Sequence, residues 1–109
     1  MHAGVLVGSI ISRPSEDIIC LNFGHKSVAS EMEFPRLKLL NMKNLKQISH
    51  SEEHLVCKCD KGDDFNVGDI CYAIPMHICP TVPKYKKVLT VVDNELTGHW
   101  LVAARDYNN

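Results

Sequence analysis

The sequence predicts an all-β domain: an antiparallel β-barrel or sandwich of about seven or eight short strands with little helix. Short runs of apolar and β-branched residues recur along the chain, with turn signals between them. No helical period is sustained for about 11 residues anywhere. Closing such a sheet on itself would also hide its edge strands, which otherwise invite aggregation.

The composition is that of an ordinary globular domain. The chain has 109 residues, of which 45% are hydrophobic and 23% charged, so we expect a single β-domain over residues 1–109. The net charge of −1 without a basic stripe argues against a nucleic-acid partner. No apolar run approaches the ~20 residues of a membrane span. The first eight residues lack the features of a secretory signal, so a cytoplasmic location is expected.

The first strands are expected to form a hairpin. Residues 4–12 and 17–22 are short apolar runs, and residues 13–16, which include Pro14, supply the turn. Gly24 follows at a position that suits a backbone bend with positive φ. Residues 51–54 resemble a helical capping box, but strand-like residues come directly after them. Further strands are predicted over residues 36–40, 45–49, 55–59, 67–74, 86–93 and 96–104.

A proline-bounded loop follows the strand predicted at residues 67–74. Pro75 and Pro80 fix φ and remove backbone donors, so the segment between them cannot be helical. It contains His77-x-Cys79. On an extended backbone, residues two apart point the same way, so this imidazole and this thiolate can reach one ion. The pair suits Zn²⁺, and two ligands would leave coordination positions open for water or substrate. The simpler interpretation is a core cysteine beside a loop histidine.

A second pair of cysteines offers an alternative. Cys57 and Cys59, together with His77 and Cys79, would make a closed structural zinc site. Against this, Leu55, Cys57 and Cys59 form one face of a strand and can simply pack inward. Glu52, Glu53 and His54 offer an acid, a base or a carboxylate beside a metal ligand, or else a solvated turn. The odd count of five cysteines argues against a disulfide framework.

Four stretches keep the order and spacing of motifs found in one enzyme family. They are Ile-Ser-Arg-Pro at residues 11–14, Leu-Asn-Phe-Gly-His-Lys at 21–26, Ser-Glu-Glu-His at 51–54, and Val-Gly-Asp at 67–69 leading to Pro-Met-His-Ile-Cys-Pro-Thr-Val at 75–82. These are similar to v-I-S-R-P, L-D-A-G-x-K, S-E-E-H and V-G-D … P-N-H-x-C-P-T-V. By these motifs, which extend from about Gly4 to Arg105, the chain resembles the C-terminal domain of the D-threonine aldolases and D-serine dehydratases.

The resemblance implies a specific chemistry. Members are fold-type III enzymes related to alanine racemase, with an N-terminal barrel that carries the lysine for pyridoxal phosphate (PLP) and a C-terminal β-domain. By carry-over, His77 and Cys79 bind Zn²⁺ or another divalent metal, which assists retro-aldol cleavage or loss of water from a D-amino acid. PLP, which serves only the complete enzyme, is the electron sink. Lys26 matches a β-domain lysine and not the Schiff-base lysine.

The chain also departs from the family pattern. Asn22 replaces an aspartate, Phe23 an alanine and Met76 an asparagine, and residues 83–85 differ as well. The barrel has no match here, so no catalytic residue is expected in this chain alone, and any residues that contact PLP are unknown. The expected partners are a PLP-barrel domain and, through an exposed apolar patch at Met76 and Ile78, a second copy in a two-fold dimer. A binding or assembly module that has lost the chemistry is the alternative.

Overall fold

The described part of the chain, residues 2–106, contains eight β-strands. The computed structural model describes residues 2–106, and their helical segments are two short 3-10 turns, Val82–Lys84 and Ala103–Arg105. The strands are β1 Leu6–Ser15, β2 Ile18–Leu21, β3 Leu37–Leu39, β4 Lys46–His50, β5 Leu55–Lys58, β6 Ile70–Pro75, β7 Lys87–Val92 and β8 Glu95–Leu101. In the described part of the chain, no helix has the length and apolar character needed to cross a bilayer.

Six of the strands form one curled antiparallel sheet. Their order is β3-β6-β1-β2-β5-β4, so the sheet is a half-barrel with β3 and β4 at its edges. β7 and β8 form a separate two-stranded sheet. The predicted all-β class and antiparallel pairing are therefore confirmed.

The Gln47 side chain joins the two edge strands of the half-barrel. The Gln47 amide on β4 donates a hydrogen bond from Nε2 to the Leu37 carbonyl on β3, at 2.7 Å. Its Oε1 accepts from the Arg36 backbone N–H at 2.9 Å. Backbone groups at a buried edge need partners, and here a side chain provides them in place of a strand. Gln47 thus bonds backbone groups on the far side of the seam, and the Arg36 side chain adds a bond to His50 on β4.

The core fills the inside of the curled sheet with alternate residues of each strand. Along β5 and β6 the buried positions are Leu55 and Cys57, then Cys71, Ala73 and Pro75, as the two-residue period of a strand requires. The remaining members come from the other strands and from the segments that follow β2, β3 and β5. They are Ile10, Ile19, Leu21, Phe23, Val28, Leu37, Met42 and Cys59.

Some strand boundaries differ from the prediction. β1 runs on to Ser15, past Pro14, because its pairing with β2 is irregular between Ser12 and Ser15, and a proline is tolerated where a ladder bond is missing. β6 begins at Ile70 because Gly68 adopts φ +97 in a turn. β8 ends at Leu101 and gives way to a 3-10 turn.

Gly24 is required for space and not for its φ angle, so the prediction of positive φ is wrong. A Cβ at this position would lie 2.1 Å from the Glu52 carbonyl oxygen. The backbone at Gly24 therefore lies against the turn at residues 51–54. His25 and Lys26 donate backbone hydrogen bonds to Ser51 and Glu52 across this contact, at 2.8 and 3.1 Å. The turn that resembles a capping box is consequently a support for residues 24–26, and no helix follows it.

A candidate metal centre on the His77 loop

The loop that carries His77 and Cys79 leaves β6 in an extended conformation and then turns. The Met76 N–H donates to the Arg36 carbonyl at 3.0 Å, which continues the β3–β6 pairing by one step. The Ile78 carbonyl accepts from the N–H groups of Thr81 and Val82, both at 3.0 Å, and closes a turn that contains Cys79. The shape expected from the two prolines is thus fixed by backbone bonds.

Thr81 anchors this loop to the chain that follows β2. Its side chain is 1% exposed. The hydroxyl donates to the His77 carbonyl at 2.8 Å and accepts from the Ala29 N–H at 3.0 Å. Tyr85 adds a second link, because its hydroxyl donates to the Ser27 carbonyl at 2.6 Å. Residues 27–31 therefore lie against the loop and bring a further side chain to His77.

That side chain is Glu31, which the sequence did not single out. Its carboxylate accepts a hydrogen bond from Nδ1 of His77. This bond assigns the proton of the neutral ring to Nδ1 and leaves the Nε2 lone pair free. The pKa of Glu31 is lowered, first by a bond to its own backbone N–H and then by His77, so the carboxylate is ionised. No local signal predicted this contact, because the residues lie 46 apart in a segment without periodicity.

Cys79 is the exposed member of the five cysteines. Cys57, Cys59 and Cys71 are buried, and Cys20 is half-buried. Burial raises the pKa of Cys57 to about 12 and that of Cys71 to about 11, so both remain thiols. Within residues 2–106, no three His, Cys, Asp or Glu side chains come together in a way that would hold a metal ion. The closed site of Cys57, Cys59, His77 and Cys79 is therefore wrong, because two of its members face the core.

The donor set on the loop fits an open two-ligand site. His77 presents a free Nε2 with its ring oriented by a carboxylate, the arrangement that metal-binding histidines commonly show. Cys79 presents an exposed thiol two residues later. Imidazole and thiolate are both ligands that Zn²⁺ accepts. The assignment of His77 and Cys79 as metal ligands stays a prediction.

The flanking side chains of the loop are apolar and exposed, as predicted. Met76 and Ile78 are both exposed, and a shallow groove runs from them to the chain segment before β1. Gly4 lies in this segment, and a Cβ built on it would be 3.6 Å from the Ile78 side chain. The surface beside the candidate ligands is therefore one that water solvates poorly.

A second cluster of polar side chains surrounds His25 and His50. The His50 ring donates from Nε2 to the Phe23 carbonyl at 2.7 Å and accepts at Nδ1 from Arg36 at 3.0 Å. Each nitrogen of the neutral imidazole thus has a hydrogen-bond partner, and burial lowers the pKa of His50. His25 meets His50 edge to face, with ring centroids 4.4 Å apart. His50 is thus a half-buried residue whose ring is held by the fold itself.

The remaining family motifs have structural roles in this fold. Lys26 forms an ion pair with Glu53, which raises the pKa of the lysine and lowers that of the carboxylate. Asn22 accepts from the Ser9 N–H at 2.8 Å through its amide oxygen, a bond that the family's aspartate would make equally well. Phe23 is part of the core. The substitutions at positions 22 and 23 are thus accommodated by the domain itself.

Comparison with known proteins supports the resemblance on fold and family. The chain superimposes on a D-threonine aldolase from Filomicrobium marinum with a TM-score of 0.82 at 19% sequence identity, over 96% of this chain and 29% of the aldolase. No curated protein matches the sequence. The aligned region makes up less than a third of the length of the aldolase from Filomicrobium marinum. A family model described as "Putative serine dehydratase domain" matches residues 3–91. With most of its length inside that match, the chain belongs to the serine dehydratase domain family.

Proposed function

We propose that this chain is the metal-bearing C-terminal domain of a PLP-dependent D-amino-acid lyase of the D-threonine aldolase or D-serine dehydratase type. His77 and Cys79 hold a divalent ion, for which the thiol favours Zn²⁺. The observation that carries the proposal is the Glu31 contact with Nδ1 of His77, because it leaves the Nε2 lone pair free for an ion, two residues before an exposed thiol.

Each residue of the loop has a definite task in this proposal. Glu31 holds the imidazole in one tautomer and raises its basicity as a ligand. Thr81 and Tyr85 fix the loop, so that both ligands are in place before an ion arrives. The ion, when bound, supplies Lewis-acid chemistry toward the hydroxyl or carboxylate of a D-amino acid. PLP, held by the barrel domain of the complete enzyme, supplies electron withdrawal.

The Met76 and Ile78 side of the domain is the surface that we place against such a barrel. Both side chains are exposed beside the ligands, and burying them would also exclude water from the reacting groups. A second copy of this chain is the other candidate for this surface. Binding of a purified barrel domain from a related aldolase, weakened by Ile78→Glu, would distinguish the barrel from the second copy.

Zinc binding by the 109-residue chain tests the metal site directly. Zn²⁺ affinity is measured by competition with a chromophoric chelator for the native chain and for His77→Ala, Cys79→Ser and Glu31→Ala. We expect both ligand variants to lose binding and Glu31→Ala to lose about 10- to 100-fold in affinity. Glu31→Gln should retain part of it, because its amide oxygen still accepts from Nδ1. His54→Ala, which removes another exposed histidine, is the matched control.

Alkylation provides a second readout that does not depend on affinity. Cys79 should react first with a thiol reagent, Cys57 and Cys71 should stay protected by burial and by their high pKa, and Zn²⁺ should slow the reaction at Cys79 alone. If Zn²⁺ binds equally to His77→Ala and to the native chain, the site is wrong. If neither the native chain nor any variant binds Zn²⁺ while the fold is intact, a binding or assembly module without the chemistry is the better interpretation.

A further inference from the structure

Two histidine rings meet where the chain that follows β2 crosses the turn between β4 and β5. His25 and His50 pack edge to face, with 4.4 Å between the ring centroids and an angle of 85° between the ring planes. Nε2 of His25 is buried and has no hydrogen-bond partner among residues 2–106. Its Nδ1 lies 3.8 Å from the Glu52 carboxylate, which is beyond the length of a hydrogen bond. The His25 ring is therefore positioned by packing against His50.

The position of the His50 ring requires that it be neutral. Its Nδ1 accepts a hydrogen bond from the Arg36 guanidinium at 3.0 Å. An imidazolium carries N–H groups on both nitrogens, so a protonated ring would direct a donor at a group that can only donate. The positive charge of Arg36 would also repel the charge on the ring. Proton uptake by His50 is therefore incompatible with the observed arrangement.

The other titratable side chains around the two rings do not offset a proton on His50. Glu52 is exposed and lies beside the other histidine. Lys26 and Glu53 form an ion pair with each other. The remaining ionisable side chain of the turn is His54, which is exposed. An added charge on the half-buried ring would thus face a cation without a carboxylate to balance it.

The rings adjoin the contact between residues 24–26 and the turn at residues 51–54. Two backbone hydrogen bonds cross this contact, and the ion pair between Lys26 and Glu53 crosses it as well. A contact with so few links, close to the surface, is the kind of unit that opens locally at a low cost in free energy. Its opening would separate the lysine from the carboxylate.

The two sides of this contact can separate while the rest of the fold stays in place. The Gly24 carbonyl accepts from the Val28 N–H at 3.2 Å, and the Ser51 N–H donates to the His54 carbonyl at 2.9 Å, so each side keeps a turn of its own. Val28 is fully buried in the core and fixes the start of the segment that leads to Glu31. The movement is thereby confined to the residues before Val28 and to the opposite turn.

We propose that His25 and His50 form an acid-sensitive switch that controls this contact. With both rings neutral, the contact is closed and Lys26 is paired with Glu53. When His50 takes up a proton from solvent, its ring leaves the guanidinium, His25 loses the surface on which it packs, and the two turns separate. Opening releases a lysine and a carboxylate at the surface. The switch depends on neither a metal ion nor PLP.

An NMR titration of the 109-residue chain between pH 7.5 and 5 tests the switch. Nuclear Overhauser contacts between the two rings, and between the Lys26 amide and Glu52, should disappear as His50 takes up its proton. Contacts that report the hydrogen bond from the Leu40 N–H to the Tyr72 carbonyl, which belongs to the large sheet, should persist over the same range. Ring contacts that survive protonation of His50, or that vanish together with the control in one transition, would overturn the proposal.

Two substitutions should fix the contact in its two states. His50→Gln keeps one donor and one acceptor but gains no proton, so the contact should stay closed at pH 5. Gly24→Ala places a Cβ in the space of the Glu52 backbone, so the contact should already be open at pH 7.5. Gly4→Ala is the matched control, because its Cβ would make an ordinary contact at 3.6 Å. Acid opening of His50→Gln at the native pH, or a closed contact in Gly24→Ala, contradicts the switch.

Discussion

At the scale of single residues, the candidate site depends on hydrogen bonds that assign protons to particular ring nitrogens. His77 carries its proton on Nδ1 because Glu31 accepts there. His50 carries its proton on Nε2 because the Phe23 carbonyl can only accept, and Arg36 can only donate to Nδ1. The first ring is left with a free lone pair, and the second is fully used within the fold. The two histidines therefore differ in one respect: His77 keeps a ring nitrogen free for a ligand, whereas both ring nitrogens of His50 are bonded within the fold.

His50 should make the stability of the domain depend on pH. Burial lowers its pKa below the ordinary value of 6.5, so below pH 6.5 the unfolded chain takes up a proton that the folded chain resists. The stability contributed by the neutral ring is thus present above pH 6.5 and is lost as the pH falls below it. Urea unfolding between pH 7.5 and 5 should show a decline that is reduced in His50→Gln.

A destabilised variant without a change in titration serves as the control for His50. Gln47→Leu should lower the free energy of unfolding at every pH and leave its slope against pH unchanged. If His50→Gln declines as steeply as the native chain between pH 7 and 5, His50 is not the group responsible. The carboxylates titrate mainly below this range.

The candidate ligand pair could be picked out from the sequence, but the side chains around it could not. His77 and Cys79 are adjacent in a short motif between prolines, so their types and spacing were visible. Glu31 is 46 residues away, and only the path of the chain brings it to His77. Cys57 was ambiguous in the sequence, because a buried thiol and a ligand look alike until burial is known. The structure resolves it as a core residue.

At the scale of elements, the strands could be predicted from local patterns, because turn residues and β-branched residues mark strands and their ends within a few positions. All eight were expected, and the errors lie at their ends, where β1 passes Pro14 and β6 starts late. The seam between β3 and β4 had no local signal, since it depends on one glutamine meeting a strand about ten residues away in sequence. Gly24 was singled out for a positive φ, but glycine is required there because the Glu52 backbone occupies the space of a Cβ.

Gln47→Leu should open this seam at a measurable cost in stability. The substitution leaves the Leu37 carbonyl and the Arg36 N–H without their partners, and an unsatisfied group of this kind costs about 1–3 kcal/mol. Because water can reach part of the seam, we expect about 2–4 kcal/mol in total, measured as a lower midpoint of urea unfolding at constant slope.

Lys46→Ala, on the same strand but exposed, is the control for the seam and should change stability by less than about 0.5 kcal/mol. Equal midpoints for Gln47→Leu and the native chain would show that other contacts close the half-barrel.

At the scale of the whole molecule, the domain presents two separate exposed surfaces, one beside the candidate ligands and one on the β7–β8 ribbon. The first is the surface that the proposed function places against a barrel domain, and the second is exposed on both sides of the ribbon. The sequence indicated the first through Met76 and Ile78. It did not indicate the second, because the apolar alternation in β7 and β8 is the same as in a strand that packs against a core.

The purified 109-residue chain should not turn over D-threonine or D-serine, even with PLP and Zn²⁺ supplied. The proposed ligands hold only a metal ion, whereas electron withdrawal in this family requires PLP bound to the barrel. Adding a barrel domain that binds this chain should restore turnover, and His77→Ala should then abolish it, in an assay of glycine or pyruvate release. Turnover by the chain alone above a PLP blank, lost in His77→Ala, would refute the assignment of the chemistry to two domains.

The bonds that hold the His77 loop have a consequence for how the domain folds. They join residues far apart in the chain: 52 positions for Ala29 and Thr81, 46 for Glu31 and His77, and 58 for Ser27 and Tyr85. Contacts of such sequence separation form only after the intervening chain is ordered, because loop closure must precede them. A ribosome-bound chain that has not yet emerged past Tyr85 would therefore display neither ligand in its final geometry. For the same reason, an isolated peptide of residues 75–82 would not adopt the geometry of the candidate site.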